Sequence, residues 1–171
     1  MILGLSPLVF IHTLISLVGI ATGFVVLYDM WGNRRADRWT AWFLVTTILT
    51  SASGFLLPAV KFMPSHAVAI LSLVILAACC YARYVKRMAG AWRLGYVLTA
   101  VAALYFNVFV LVAQLFLKVP ALHALAPQGN EPPFGIAQGV VFLAFIVLTV
   151  LAVRRFHPDR APAAPERVAT A

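Results

Sequence analysis

Five long apolar stretches, each ending at a polar segment or a proline, constrain this chain more than any motif in it. They run Ser6–Tyr28, Trp39–Pro58, Pro64–Tyr84, Leu94–Leu117 and Phe134–Val153. A helix rises 1.5 Å per residue, so about 20 residues cross the roughly 30 Å of hydrocarbon in a bilayer. No water reaches backbone amides there, and an α-helix satisfies them within its own segment. Composition agrees: 63% of residues are hydrophobic and 11% are charged, where a water-soluble domain carries about 25% charge. The expected architecture is all-α, a polytopic membrane helix bundle of five transmembrane helices. Residues 1–157 are expected to form its single domain, and the Pro/Ala-rich, basic residues 158–171 a flexible cytoplasmic tail.

Local signals mark the helix ends. Ser6 ahead of Pro7 reads as an N-cap followed by a proline in the first turn, and Pro64 suits the start of the third helix. The first stretch lacks a preceding basic segment and a small-residue cleavage site, and it contains His12, so it reads as a retained span. Of the 13 basic residues, all but Lys61 and Lys118 fall after the first stretch, around the end of the third, or in the tail. The positive-inside rule then places the N-terminus outside and the C-terminus in the cytoplasm; the expected location is a bacterial inner membrane. Trp31, Trp39, Trp42 and Trp92 gather at the cytoplasmic boundary, where indole rings anchor.

Charge and sulfur have plain readings in this setting. Asp29 and Asp37 lie among arginines and are expected to neutralise them locally, while Cys79 and Cys80, adjacent in an apolar run, read as small packing residues. The net charge of +8 expresses sidedness, not a nucleic-acid partner. The expected partners are membrane lipids and either another membrane protein or a second copy of the chain.

Given that topology, polar residues distant in sequence fall at related depths. His12 lies about 8 Å below the outer boundary, five residues into the first helix. His66 is near the outer start of the third helix; Ser51 and Ser53 are in the outer half of the second, Asn107 and Gln114 in that of the fourth, and Gln138 begins the fifth. His123 belongs to the outer loop and His157 to the cytoplasmic tail. His12, Ser16, Gly19 and Gly23 recur at steps of four, three and four, as do Ala103, Asn107, Val110 and Gln114, so each set shares a helix face. Small residues on such faces let backbones approach, and an imidazole inside a span needs a partner.

His12 and Gly19, an HxxxxxxG pattern, together with His66 near another helix end, resemble small bacterial membrane proteins related to b-type haem families across Phe10–Leu117. The chain as a whole is similar to uncharacterised bacterial multi-pass inner-membrane proteins, most clearly across FNVFVLVAQLFLKVPALHALAPQGNEPPF, Phe106–Phe134. The first resemblance implies His12 and His66 as metal ligands of one haem, since a di-haem arrangement needs four histidines at two depths.

The leading expectation is a small redox subunit with an outward-facing polar site. There His12 and His66 bind b-type haem or a quinone, and Asn107 and Gln114 orient the ligand or satisfy a histidine's second nitrogen. The alternative is a non-catalytic accessory or scaffold protein of a membrane complex. A small-solute transporter ranks last, because no acidic residue lies within the apolar stretches and no broken-helix pair is evident. Zinc-finger spacing, HExxH, GxGxxG, a phosphate-binding loop and a serine-esterase elbow are all absent, so no catalytic residue is singled out.

Overall fold

The computed structural model describes residues 6–57 and 64–158. Expectations for Lys61 and for the tail beyond Pro158 lie outside these residues. The chain forms α1 (Pro7–Trp31), α2 (Asp37–Gly54), α3 (Pro64–Cys80, prolonged by a π-helical turn at Tyr81–Val85), α4 (Trp92–Lys118), the short α5 (Pro120–His123) and α6 (Pro132–Arg155). Ser6 caps α1 as its sequence implies: its Oγ accepts the Val9 amide at 3.4 Å, and Pro7 opens the helix. Short connections make successive long helices run in opposite directions. α2 packs against α1 and α3, and α4 against α1, α3 and α6.

The protein is a multi-pass membrane helix bundle in which four helices are long and apolar enough to cross a bilayer: α1, His66–Val85, α4 and α6. The expected fifth span, Trp39–Pro58, is not among them. Its helix begins two residues earlier, on the charged pair Asp37 and Arg38, ends at Gly54, and carries Thr46, Thr47, Thr50, Ser51 and Ser53. The charged pair and those hydroxyls lower its hydropathy; Thr47 meets Asn107 of α4 and Ser53 meets His12 of α1, while Thr46 donates to carbonyls of α2 itself.

Burial is unequal between the two ends of the bundle. Val26, Leu27 and Met30 of α1, Phe43 and Leu44 of α2, Leu76 and Cys79 of α3, Tyr96, Val97, Ala100, Val101, Ala103 and Leu104 of α4, and Ala152 and Phe156 at the end of α6 belong to one apolar core. Alternating helix directions place all of these toward the end that contains Arg83. Toward the opposite end, which contains His12, buried side chains among the described residues are Ser51, Ser72, Gln138, Phe116 and Ala126. Gly23 belongs to the tight part: a Cβ there would stand 2.6 Å from Leu104 Cδ1 and 2.9 Å from Phe43 Cε2. Glycine permits that backbone approach, the small-residue contact expected of α1.

Candidate functional site

His12 is half-buried on α1, where its Nδ1 lies 2.8 Å from Ser53 Oγ on α2. The Ser53 hydroxyl in turn donates to the Thr50 carbonyl at 3.2 Å. A serine hydroxyl has one hydrogen. With that hydrogen on Thr50, Ser53 Oγ accepts from His12 Nδ1–H and a neutral ring carries its lone pair on Nε2; with it on Nδ1, the ring proton is on Nε2. No described residue hydrogen-bonds Nε2. Ser16 Oγ donates back to the His12 carbonyl at 2.7 Å, so this hydroxyl serves its own helix.

His66 takes a different position. Its ring stacks on Phe55, centroids 5.6 Å apart and planes 13° from parallel. His12 thus meets Ser53 on α2, whereas His66 stacks on Phe55 at the C-cap of that helix. Among the described residues, no group of three or more His, Cys, Asp or Glu side chains is placed to hold a metal ion.

The other expected site residues separate according to depth. Asn107 Nδ2 donates to Thr47 Oγ1 at 3.2 Å, tying α4 to α2. A Cβ on Gly19 would lie 3.3 Å from both Thr46 Oγ1 and Thr47 Oγ1 and 3.6 Å from Asn107 Nδ2. One glycine on α1 thus meets a polar layer drawn from two other helices. Gln114, two helical turns nearer the His12 end, is exposed, as is His123 on α5. Gln138 is buried and donates Nε2–H to the Phe109 carbonyl at 3.0 Å, while its Oε1 has no partner among the described residues. Thr50 Oγ1, beside the Ser53 relay, is also buried without a partner. Buried polar atoms of this kind normally find water or a ligand.

Sequence reasoning missed the opposite end as a built site. Arg83, with 3% of its side chain exposed, pairs with Asp37, donates to the Arg35 carbonyl at 2.8 Å and to Met88 Sδ at 3.4 Å, and lies 4.9 Å from the Tyr96 ring centroid. The Tyr96 hydroxyl is 3.2 Å from Thr40 Oγ1. Asp29 pairs locally with Arg34, as expected, but the partner of Asp37 comes from the π turn after α3. A signal existed: Leu76, Cys79 and Arg83 follow at steps of three and four on one helix face. Two further tethers close this end. Arg93 Nη1 donates to the Val153 and Phe156 carbonyls at 3.1 and 2.5 Å, capping α6, and the His157 amide donates to Asn33 Oδ1 at 2.6 Å. Left-handed backbone at Asn33, Ala36, Arg87 and Met88 shapes the loops here, a conformation that costs non-glycine residues about 1 kcal/mol or more each.

Comparison with known protein families, curated proteins and solved structures finds no match. The resemblance to b-type haem proteins gains no support from these comparisons, and a functional reading rests on the residues described above.

Proposed function

We propose that this protein is a small membrane subunit that binds a redox ligand through His12 Nε2 at the outer end of the bundle. The observation carrying this reading is the 2.8 Å contact of His12 Nδ1 with Ser53 Oγ, whose hydroxyl reaches the Thr50 carbonyl; in this reading Nδ1–H donates to Ser53. It leaves on Nε2 a lone pair suited to haem iron or to the hydroxyl of a quinol. An oxidised quinone offers carbonyl acceptors, so the reduced form complements this tautomer better. Support comes also from the polar buried residues of this end and from the partnerless Thr50 Oγ1. In this reading Asn107 positions α2, while His66 and Gln114 border the site.

The reading includes five membrane crossings, with α2 as a short span. At 18 residues it is about 27 Å long, a deficit that local thinning of the bilayer accommodates. The basic loops and tail lie in the cytoplasm and the N-terminus outside. Impermeant thiol labelling of a cysteine introduced at Lys118 tests the orientation; reaction from the cytoplasmic side alone reverses it.

Detergent-purified protein, examined by reduced-minus-oxidised spectroscopy and by solvent extraction of quinones, tests the ligand. Occupancy per folded protein should be lost in His12→Ala and retained in His157→Ala. Equal occupancy in His12→Ala and the native protein rejects the site. A specific observation favours an accessory role as the second reading: Ile136, Val140, Leu143 and Val147 form an apolar face of α6 exposed by 57–66%, suited to lipid or another membrane protein. Native protein that carries neither haem nor quinone selects that reading.

A further inference from the structure

The Arg83 end bears a surface independent of whatever binds His12. Arg38, Trp39 and Trp42 share one side of the first turns of α2, at i, i+1 and i+4. With Ala36 and Asp37 they line an open groove of about 400 Å³. Trp39 is 49% and Trp42 58% exposed. The exposed Arg38 guanidinium has no hydrogen bond or ion pair among the described residues. The carboxylate that would repel an anion here, Asp37, is neutralised by Arg83. Arg83 also holds the Arg35 carbonyl, and Ala36 between them is left-handed at φ 46°. The turn that opens the groove is thus fixed from inside the protein.

We infer that this groove binds the headgroup of an anionic phospholipid, with Arg38 on the phosphate and the two indoles at the headgroup–acyl boundary. Charge complementarity selects this occupant: with Asp37 and Arg83 paired, the groove carries the unpaired positive charge of Arg38. Indole rings favour that depth of a bilayer, where their apolar bodies and polar N–H groups are both accommodated. A basic residue near an anionic leaflet contributes to lipid preference by roughly fivefold.

The full-length protein in lipid nanodiscs provides the test, with brominated phosphatidylglycerol or brominated phosphatidylcholine diluted into unbrominated phosphatidylcholine. Tryptophan emission should be quenched more by brominated phosphatidylglycerol at equal mole fraction, and the excess should saturate. Arg38→Gln should reduce the preference about fivefold, Arg38→Lys should retain most of it, and the Trp39→Phe/Trp42→Phe double variant should remove the excess quenching. Arg154→Gln, an exposed cation elsewhere at the same end, should leave it unchanged. Equal quenching by the two lipids overturns the proposal. So does an equal loss in Arg154→Gln and Arg38→Gln, which would reduce the effect to general charge attraction.

Discussion

The two ends of this bundle differ in how their central charged or ionisable group is satisfied, although each also holds a buried polar atom without a described partner, Trp31 Nε1 at the Arg83 end and Thr50 Oγ1 at the His12 end. At the Arg83 end the guanidinium has a carboxylate, a carbonyl, a thioether and an aromatic face, and an apolar core packs directly against it. At the His12 end one ring nitrogen is fixed by Ser53 while the other has no described partner, and Thr50 Oγ1 is buried alone. A saturated network in a low-dielectric setting joins helices rigidly, whereas an unsatisfied one is held for something else or costs stability. The comparison marks the Arg83 network as a structural tie between helices and is the reason the proposed ligand site is placed at the other end.

The largest expected effect lies at the saturated end. Asp37→Ala leaves a buried guanidinium without its counter-ion and should lower stability by about 3 kcal/mol. Arg83→Met, which removes the buried charge and leaves a solvent-accessible carboxylate, should cost less. Unfolding titrations in mixed micelles check the order, and the reverse order breaks the assignment of Arg83 as the group that needs the pair. Gly23→Ala comes next: overpacking against Leu104 and Phe43 should exceed the gain in helix propensity, leaving a net loss of about 1–2 kcal/mol. Gly19→Ala, with contacts at 3.3 Å and not 2.6 Å, should be milder in the same titration.

At the His12 end, effects on ligand should outweigh effects on stability. Ser53→Ala frees the tautomer and should weaken ligand binding about tenfold, at a stability cost of about 1 kcal/mol. Equilibrium titration with haem or a quinol analogue against thermal denaturation separates the two; a variant that loses stability but binds normally makes this end structural as well.

The smallest effect concerns the loop before α6. Glu131 accepts the Gln128 amide at 2.9 Å and the Asn130 amide at 3.0 Å, and these bonds, that of Gln128 foremost, hold its carboxyl below the usual value of 4.5. A depressed folded-state pKa stabilises above the unfolded value and loses that contribution as pH falls through the folded one. Amide exchange at Gln128 and Asn130, corrected for intrinsic rate, should accelerate as pH falls below the usual carboxylate range and stay unchanged near neutrality.

Much of the bundle was legible because hydrocarbon imposes its demands on composition directly. Ser6, Pro7 and Pro64 marked helix starts, and the steps from His12 to Gly23 marked the contact face that Gly19 and Gly23 occupy. The extent of α2 was less legible, since an apolar count does not reveal that its threonines face Asn107 and Gly19. His12 stood out as an imidazole inside a span; its orientation did not, because that depends on Ser53, 41 residues away.

By itself the sequence determined that the chain is helical, that it enters a membrane, and which residues are too polar to face lipid, since each of these follows from local composition and 3.6-residue periodicity. Only the tertiary structure decided which polar residues meet. It gave Asp37 to Arg83 rather than to a neighbouring arginine, and it brought His12 to Ser53 and His66 to Phe55. Hydrogen bonds and ion pairs act over a few ångströms, and among helices that distance is set by how backbones pack, not by separation along the chain.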